Sequence, residues 1–132
     1  MFLDAIIYIP ILSKNFYIGA YVMFGDVELT VHCAAELLKR APEYDYIIAP
    51  EAKAIPLAHE MARQSGKPYY ICRKGAKLYM RNVIKCETQS ITTSAKQTLY
   101  IDGADAEYIK GKRVLIVDDV ISTGGSLLSL EN

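Results

Sequence analysis

Two apolar, aromatic runs open the chain, at residues 5–12 and 16–24, with a polar turn at 13–15 between them. They read as a pair of strands. Asp26 then stands where a helix N-cap belongs. Val27, Val31, Ala34, Leu38 and Ala41 recur at helical spacing as its buried stripe, and Pro42 stops it. Residues 46–49 form a short, continuous apolar strand. A second helix is expected over 54–65, with Ala54, Leu57, Ala58, Met61 and Ala62 on one face and Gly66 as its C-cap. Strands follow at 69–72 and 114–117, and a last helix begins near Gly125.

Continuous apolar strands alternating with amphipathic helices predict an α/β fold: a parallel sheet flanked by helices on both faces. Between residues 73 and 98 the pattern fails. That stretch is polar, rich in Lys, Thr and Ser, and has no sustained period. So long an insertion in a compact domain marks a mobile active-site loop or hairpin, placed at about 74–98. The pattern stops at Asn132 with its last helix barely begun, so a C-terminal part, at least one more strand, is expected beyond it.

The length of 132 residues suits one domain. We divide it into N-terminal strands at 1–25 and a core at 26–132. Lys plus Arg number 15 and Asp plus Glu number 15, so the formal charge is zero. A neutral chain gives no general electrostatic reason to bind nucleic acid or a membrane. Cys33, Cys72 and Cys86 are scattered and odd in number. They read as buried small hydrophobes, with neither a disulfide framework nor a zinc site, which points to a reducing compartment, the cytoplasm. The apolar N-terminus lacks the basic start of a signal peptide and the length of a membrane span.

The segment with the most chemistry is Val-Leu-Ile-Val-Asp-Asp-Val-Ile-Ser-Thr-Gly-Gly-Ser at 114–126. Its strand delivers a turn to the carboxyl edge of the sheet, where open α/β folds bind ligands. Gly124 and Gly125 let backbone N–H groups approach an anion. The helix N-terminus adds partial positive charge. The hydroxyls of Ser122, Thr123 and Ser126 donate to phosphate oxygens. Carboxylates repel phosphate, so Asp118 and Asp119 make sense facing the hydroxyls of a sugar. A phosphate beside a vicinal diol describes ribose 5-phosphate.

This run resembles the signature of type I phosphoribosyltransferases. The resemblance implies that Asp118 and Asp119 hold the ribose hydroxyls of phosphoribosyl pyrophosphate (PRPP), and that residues 122–126 cradle its 5′-phosphate. Upstream, Ala-Pro-Glu-Ala-Lys-Ala-Ile-Pro-Leu-Ala at 49–58 is similar to the pyrophosphate loop of adenine phosphoribosyltransferases. That implies a cation at Lys53 and a cis peptide before it, at the bond between Ala52 and Lys53. Ile-Cys-Arg-Lys-Gly-Ala-Lys-Leu at 71–78 is similar to the opening of their catalytic loop. Arg73, Lys74 and Lys77 would then neutralise the leaving pyrophosphate. A solvated surface lysine or basic hairpin is the ordinary alternative for these side chains. The chemistry needs cations there and is helped by Mg²⁺, held mainly by PRPP and water with no certain protein ligand.

The match departs from the adenine enzymes in one place. Where their loop carries a proton-handling Glu, this chain aligns Thr92, followed by Thr93; Glu87 lies nearby. The closest resemblance is therefore to adenine-phosphoribosyltransferase-like proteins of unassigned acceptor. Tyr17 and Tyr21 are the weak choice for stacking on a base, with strand-core packing equally natural for them. His32 and His59 show no catalytic partner. The expected activity is transfer of ribose 5-phosphate from PRPP to a purine-like base by a homodimer. A PRPP- or nucleotide-sensing regulator of the same fold and an inactive fragment are the competing readings.

Overall fold

The computed structural model describes residues 6–10, 17–21, 23–89 and 96–119. Strands β1 (Ile6–Pro10) and β2 (Tyr17–Tyr21) pair antiparallel, Ile6 opposite Tyr21 and Pro10 opposite Tyr17. Helix α1 (Val27–Arg40) starts where Asp26 accepts the Leu29 N–H on Oδ1 at 2.9 Å. Then come β3 (Tyr46–Pro50), α2 (Ile55–Ser65), β4 (Tyr69–Cys72), β5 (Ile84–Gln89), β6 (Lys96–Ile101), α3 (Gly103–Ile109) and β7 (Val114–Ile116).

The main sheet is parallel, in the order β4-β3-β7. Its central strand β3 is buried from Ile47 to Pro50. Successive side chains of a strand face opposite ways, and each face of this strand meets its own cluster. Ile47 and Ala49 pack with Cys33, Ala34, Leu57, Ala58 and Met61 from α1 and α2. Ile48 and Cys72 pack with Leu99 and Ile101 of β6, and with Ala106 and Ile109 of α3. The sheet is thus covered on both sides.

Local chemistry fixes the ends of these elements. Pro56 sits in the first turn of α2, where its missing N–H costs nothing. Gly66 closes the helix at φ 70°, its N–H bonding Ala62 O at 2.9 Å. At the amino edge of the sheet Arg113 fastens β7 to β3. Its N–H reaches Asp45 Oδ2 at 2.9 Å, and its guanidinium reaches Glu43 at 2.6 Å and Asp45 at 3.1 Å. Gln64 of α2 donates to Val31 O of α1 at 3.1 Å and to Glu60 Oε1 at 2.7 Å. Arg63 holds the same buried Glu60 at 2.7 Å.

One expectation needs correction. The inward face of α1 is Thr30, Cys33 and Ala34, flanked by Leu29, Leu38 and Ala41. Val27 is 74% exposed and Val31 is half-buried, because the inward face is set by Thr30, Cys33 and Ala34 and leaves Val27 off it. The loop or hairpin expected in the polar stretch is, over its described residues, an antiparallel hairpin, β5 against β6, from Ile84 opposite Ile101 to Gln89 opposite Lys96. The loop between those strands lies outside the described residues, as does the helix expected near Gly125. Helix α3 follows the hairpin; Asp102 caps it, accepting from Ala104 N–H at 2.9 Å.

Candidate functional site

The register of the sheet assembles the site. Pro50 of β3 stands opposite Cys72 of β4, and the Glu51 N–H continues that ladder to Cys72 O at 2.9 Å. On the other flank Ile48 stands opposite Ile116, and the Val117 N–H bonds Ile48 O at 2.9 Å. Three neighbouring parallel strands therefore end at one level. Arg73 and Lys74 emerge from β4, Glu51 through Lys53 from β3, and Asp118 and Asp119 from β7. This carboxyl edge is the ligand-binding crevice of open α/β sheets.

The acids come at the β7 end. Asp119 N–H donates to Asp118 Oδ1 at 2.9 Å. Burial, and then the adjacent Asp119 carboxyl, push the Asp118 carboxyl up to about 6 from its ordinary 3.8, while the charge of Lys74 pulls it the other way. Lys74 is thus the expected cation whose field reaches Asp118. Lys53 is exposed in the turn after β3. The cis peptide of that turn joins Glu51 to Ala52, one bond earlier than the resemblance implied. Lys77 is half-buried, and its N–H contacts Met80 Sδ at 3.5 Å.

Arg73 is engaged from two sides. Its backbone exchanges hydrogen bonds with Tyr100 of β6, N–H to O at 2.7 Å and O to N–H at 2.8 Å. Its Nε lies 2.6 Å from Glu51 Oε2. That contact is an ion pair and not a hydrogen bond, since the buried Nε–H is not aimed at the carboxylate and finds no other acceptor among the described residues. The second oxygen of Glu51 accepts the Lys74 N–H at 2.8 Å. Sequence reasoning missed Glu51. The available signal was a carboxylate two residues before a cation expected to meet phosphate, a placement that needs a neutralising partner.

Several expected site residues lie outside the described residues: Ser122, Thr123, Gly124, Gly125 and Ser126, and also Thr92 and Thr93. Tyr17 and Tyr21 occupy the ends of β2, with their side chains likewise outside. Glu87 is on β5, where Lys85 approaches it at 3.3 Å, well along the hairpin. His32 is exposed and 3.9 Å from Glu28. His59 is also exposed, and its Nδ1 lies 3.2 Å from the Tyr69 hydroxyl.

The family model for the phosphoribosyl transferase domain matches residues 29–130. The chain belongs to the phosphoribosyltransferase family. It is 34% identical over 135 residues to a hypoxanthine/guanine phosphoribosyltransferase of Methanosarcina mazei, covering 96% of this chain and 67% of that protein. A hypoxanthine/guanine phosphoribosyltransferase of Methanohalobium evestigatum is 43% identical over 128 residues, covering 92% and 64%. The chain thus spans about two thirds of the length of these relatives. In fold it matches the adenine phosphoribosyltransferase of Thermoanaerobacter pseudethanolicus, with TM-score 0.76, 24% identity, and 97% and 74% coverage. It also matches the Trypanosoma brucei enzyme solved with AMP, pyrophosphate and ribose-5-phosphate, with TM-score 0.72, 20% identity, and 97% and 57% coverage. The fold is therefore that of adenine phosphoribosyltransferases, while these sequence relatives carry a hypoxanthine/guanine name. No helix among the described residues is long and apolar enough to cross a membrane.

Proposed function

We propose that this phosphoribosyltransferase joins the ribose 5-phosphate of PRPP to a purine base and releases pyrophosphate, with hypoxanthine or guanine as the preferred acceptor. One observation carries the reading. The paired acids Asp118 and Asp119 share a sheet edge with the basic residues Lys53 and Lys74, each at the end of an adjacent parallel strand. The acids accept from the ribose hydroxyls, and the cations face the pyrophosphate. The names of the sequence relatives support a 6-oxopurine acceptor over adenine.

Breaking the bond between C1 and pyrophosphate builds positive charge on the ribose and negative charge on the leaving group, as in other glycosyl transfers. Cations placed where the negative charge grows lower the barrier. Lys53 and Lys74 do this as fixed charges, and Arg73 adds to the field with Glu51 beside it. Among the described residues no three acidic, His or Cys side chains cluster as a metal site. Two adjacent carboxylates suit a magnesium ion that takes most of its oxygens from substrate and water. Such an ion, when bound with PRPP, would offset charge on the pyrophosphate.

The test is incubation of the protein with PRPP, Mg²⁺ and hypoxanthine, guanine or adenine in turn, following nucleotide formation and pyrophosphate release. Turnover with hypoxanthine or guanine is expected. Turnover with adenine alone would overturn the acceptor assignment. PRPP binding without turnover on any base would replace the enzyme with a sensor of PRPP.

A further inference from the structure

We infer that Glu51 is a positioning residue of the transfer reaction, its carboxylate seating Arg73 and Lys74 at the carboxyl edge of the sheet. The inference rests on the phosphoribosyl-transfer reading above. A carboxylate at the mouth of a pyrophosphate site is costly by itself, because it repels the ligand. Here both of its oxygens are taken. Oε2 meets Arg73 Nε at 2.6 Å, and Oε1 accepts the Lys74 N–H at 2.8 Å. The side chain is 17% exposed and that of Arg73 is 32% exposed, so the pair is screened less than a surface pair.

The consequence is geometric. Lys74 is the first residue beyond the last paired position of this segment, since Arg73 is bridged to Tyr100 through its backbone. No other backbone hydrogen bond of Lys74 appears among the described contacts between elements. Glu51 extends the ordered edge by that one residue. The ammonium of Lys74 then sits where its charge acts on Asp118, across β3. Glu51 thus couples the turn that carries Lys53 to the segment that carries Lys74. It touches neither the ribose nor the pyrophosphate in this role.

Glu51→Ala and Glu51→Gln in the full chain test the idea. Gln retains an oxygen for the Lys74 N–H but loses the charge that faces Arg73. Amide exchange by NMR, which needs no activity, should show Lys74 protected in wild type and Gln, and unprotected in Ala. Catalytic efficiency with PRPP should fall about tenfold in Ala, the size expected for loss of a charge-assisted hydrogen bond. Gln should recover part of it, and thermal midpoints should differ little. If Ala does not fold, the Gln comparison against wild type stands alone, with an intermediate loss expected and full activity counting against the idea. Unchanged efficiency in Ala, or an unprotected Lys74 amide with full activity, would overturn the positioning role. Should wild type itself turn over no base, the transferase reading fails, and Glu51 is judged by calorimetric PRPP affinity. A roughly tenfold weakening in Ala would then be expected, and unchanged affinity would sink it.

Discussion

Asp118→Asn should make the protein more stable at neutral pH while weakening its hold on PRPP. The Asp118 carboxyl titrates near 3.8 in an unfolded chain and is raised to about 6 in the fold, by burial first and then by Asp119. Between those two values the native state binds more protons than the unfolded state, so stability falls as pH rises. The favourable contribution is complete below about pH 4 and is lost as pH climbs through 6. Two pH units correspond to roughly 3 kcal/mol at 1.36 kcal/mol per unit. Asp118 is partly exposed, and solvent screening reduces this to about 1–2 kcal/mol. Asn mimics the protonated carboxyl and never ionises. The variant should therefore match wild type near pH 3 and exceed it by about 1–2 kcal/mol at pH 7.5. Urea denaturation followed by circular dichroism at four pH values measures the difference. Taking the difference cancels other acids, such as Asp45, which Arg113 holds down near 2. A gap between the two proteins that does not change with pH would refute the argument. PRPP affinity of wild type should meanwhile rise from pH 5 to pH 7, because the ionised carboxylate is a stronger acceptor for a ribose hydroxyl than the protonated acid.

Gly103→Ala should destabilise the fold by about 1–3 kcal/mol through overpacking. A Cβ there would lie 2.6 Å from Asn82 O and 2.9 Å from Arg81 O, both backbone atoms with little room to yield. A thermal midpoint equal to wild type would show that the loop at 81–82 moves aside. Asp26→Ala removes the acceptor for the Leu29 N–H and should cost about 1 kcal/mol. Chemical denaturation checks it, and an unchanged midpoint would mean that water caps α1 equally well.

Much of the sheet was legible because β3 and β4 are short apolar runs and α2 carries an unbroken stripe. The N-cap at Asp26 and the C-cap at Gly66 could be named from residue type alone, since each answers a specific need of a helix end. The face of α1 was misjudged for a physical reason. Thr30 is buried, a position that hydrophobicity would not assign, and its hydroxyl is satisfied by Asp26 O at 2.8 Å. The strands of the hairpin could not be placed because Ile84 is 51% exposed and Lys85 and Glu87 lie open to solvent, leaving no clean alternation to read. Helix α3 has seven residues, too few to show a period. Of the charged residues at the carboxyl edge, Lys53, Arg73, Lys74, Asp118 and Asp119 were named from the sequence by motif. Glu51 was not, because its role depends on a residue 22 positions away that only the pairing of β3 with β4 brings beside it.

That pairing also explains how a chain of zero net charge presents a polarised edge. Three cations, Lys53, Arg73 and Lys74, and three acids, Glu51, Asp118 and Asp119, share the carboxyl ends of three strands. The basic pair leaves β4 and the acid pair leaves β7, with β3 between. Two inter-strand spacings, about 10 Å, separate the flanks. Glu51 sits against Arg73 on the basic flank and removes part of its charge, so Lys74 and Lys53 set the positive end. On the proposed reading, this gradient selects an orientation. Pyrophosphate laid over β4 meets ammonium groups and the ribose hydroxyls over β7 meet carboxylates, whereas the reverse pose sets phosphate against Asp118 and Asp119. The raised titration of Asp118 follows from the same arrangement, because burial at the strand end, and then the adjacent Asp119, resist its ionisation. On that reading, recognition is a matter of where charges lie along the sheet edge, and strand order sets those positions.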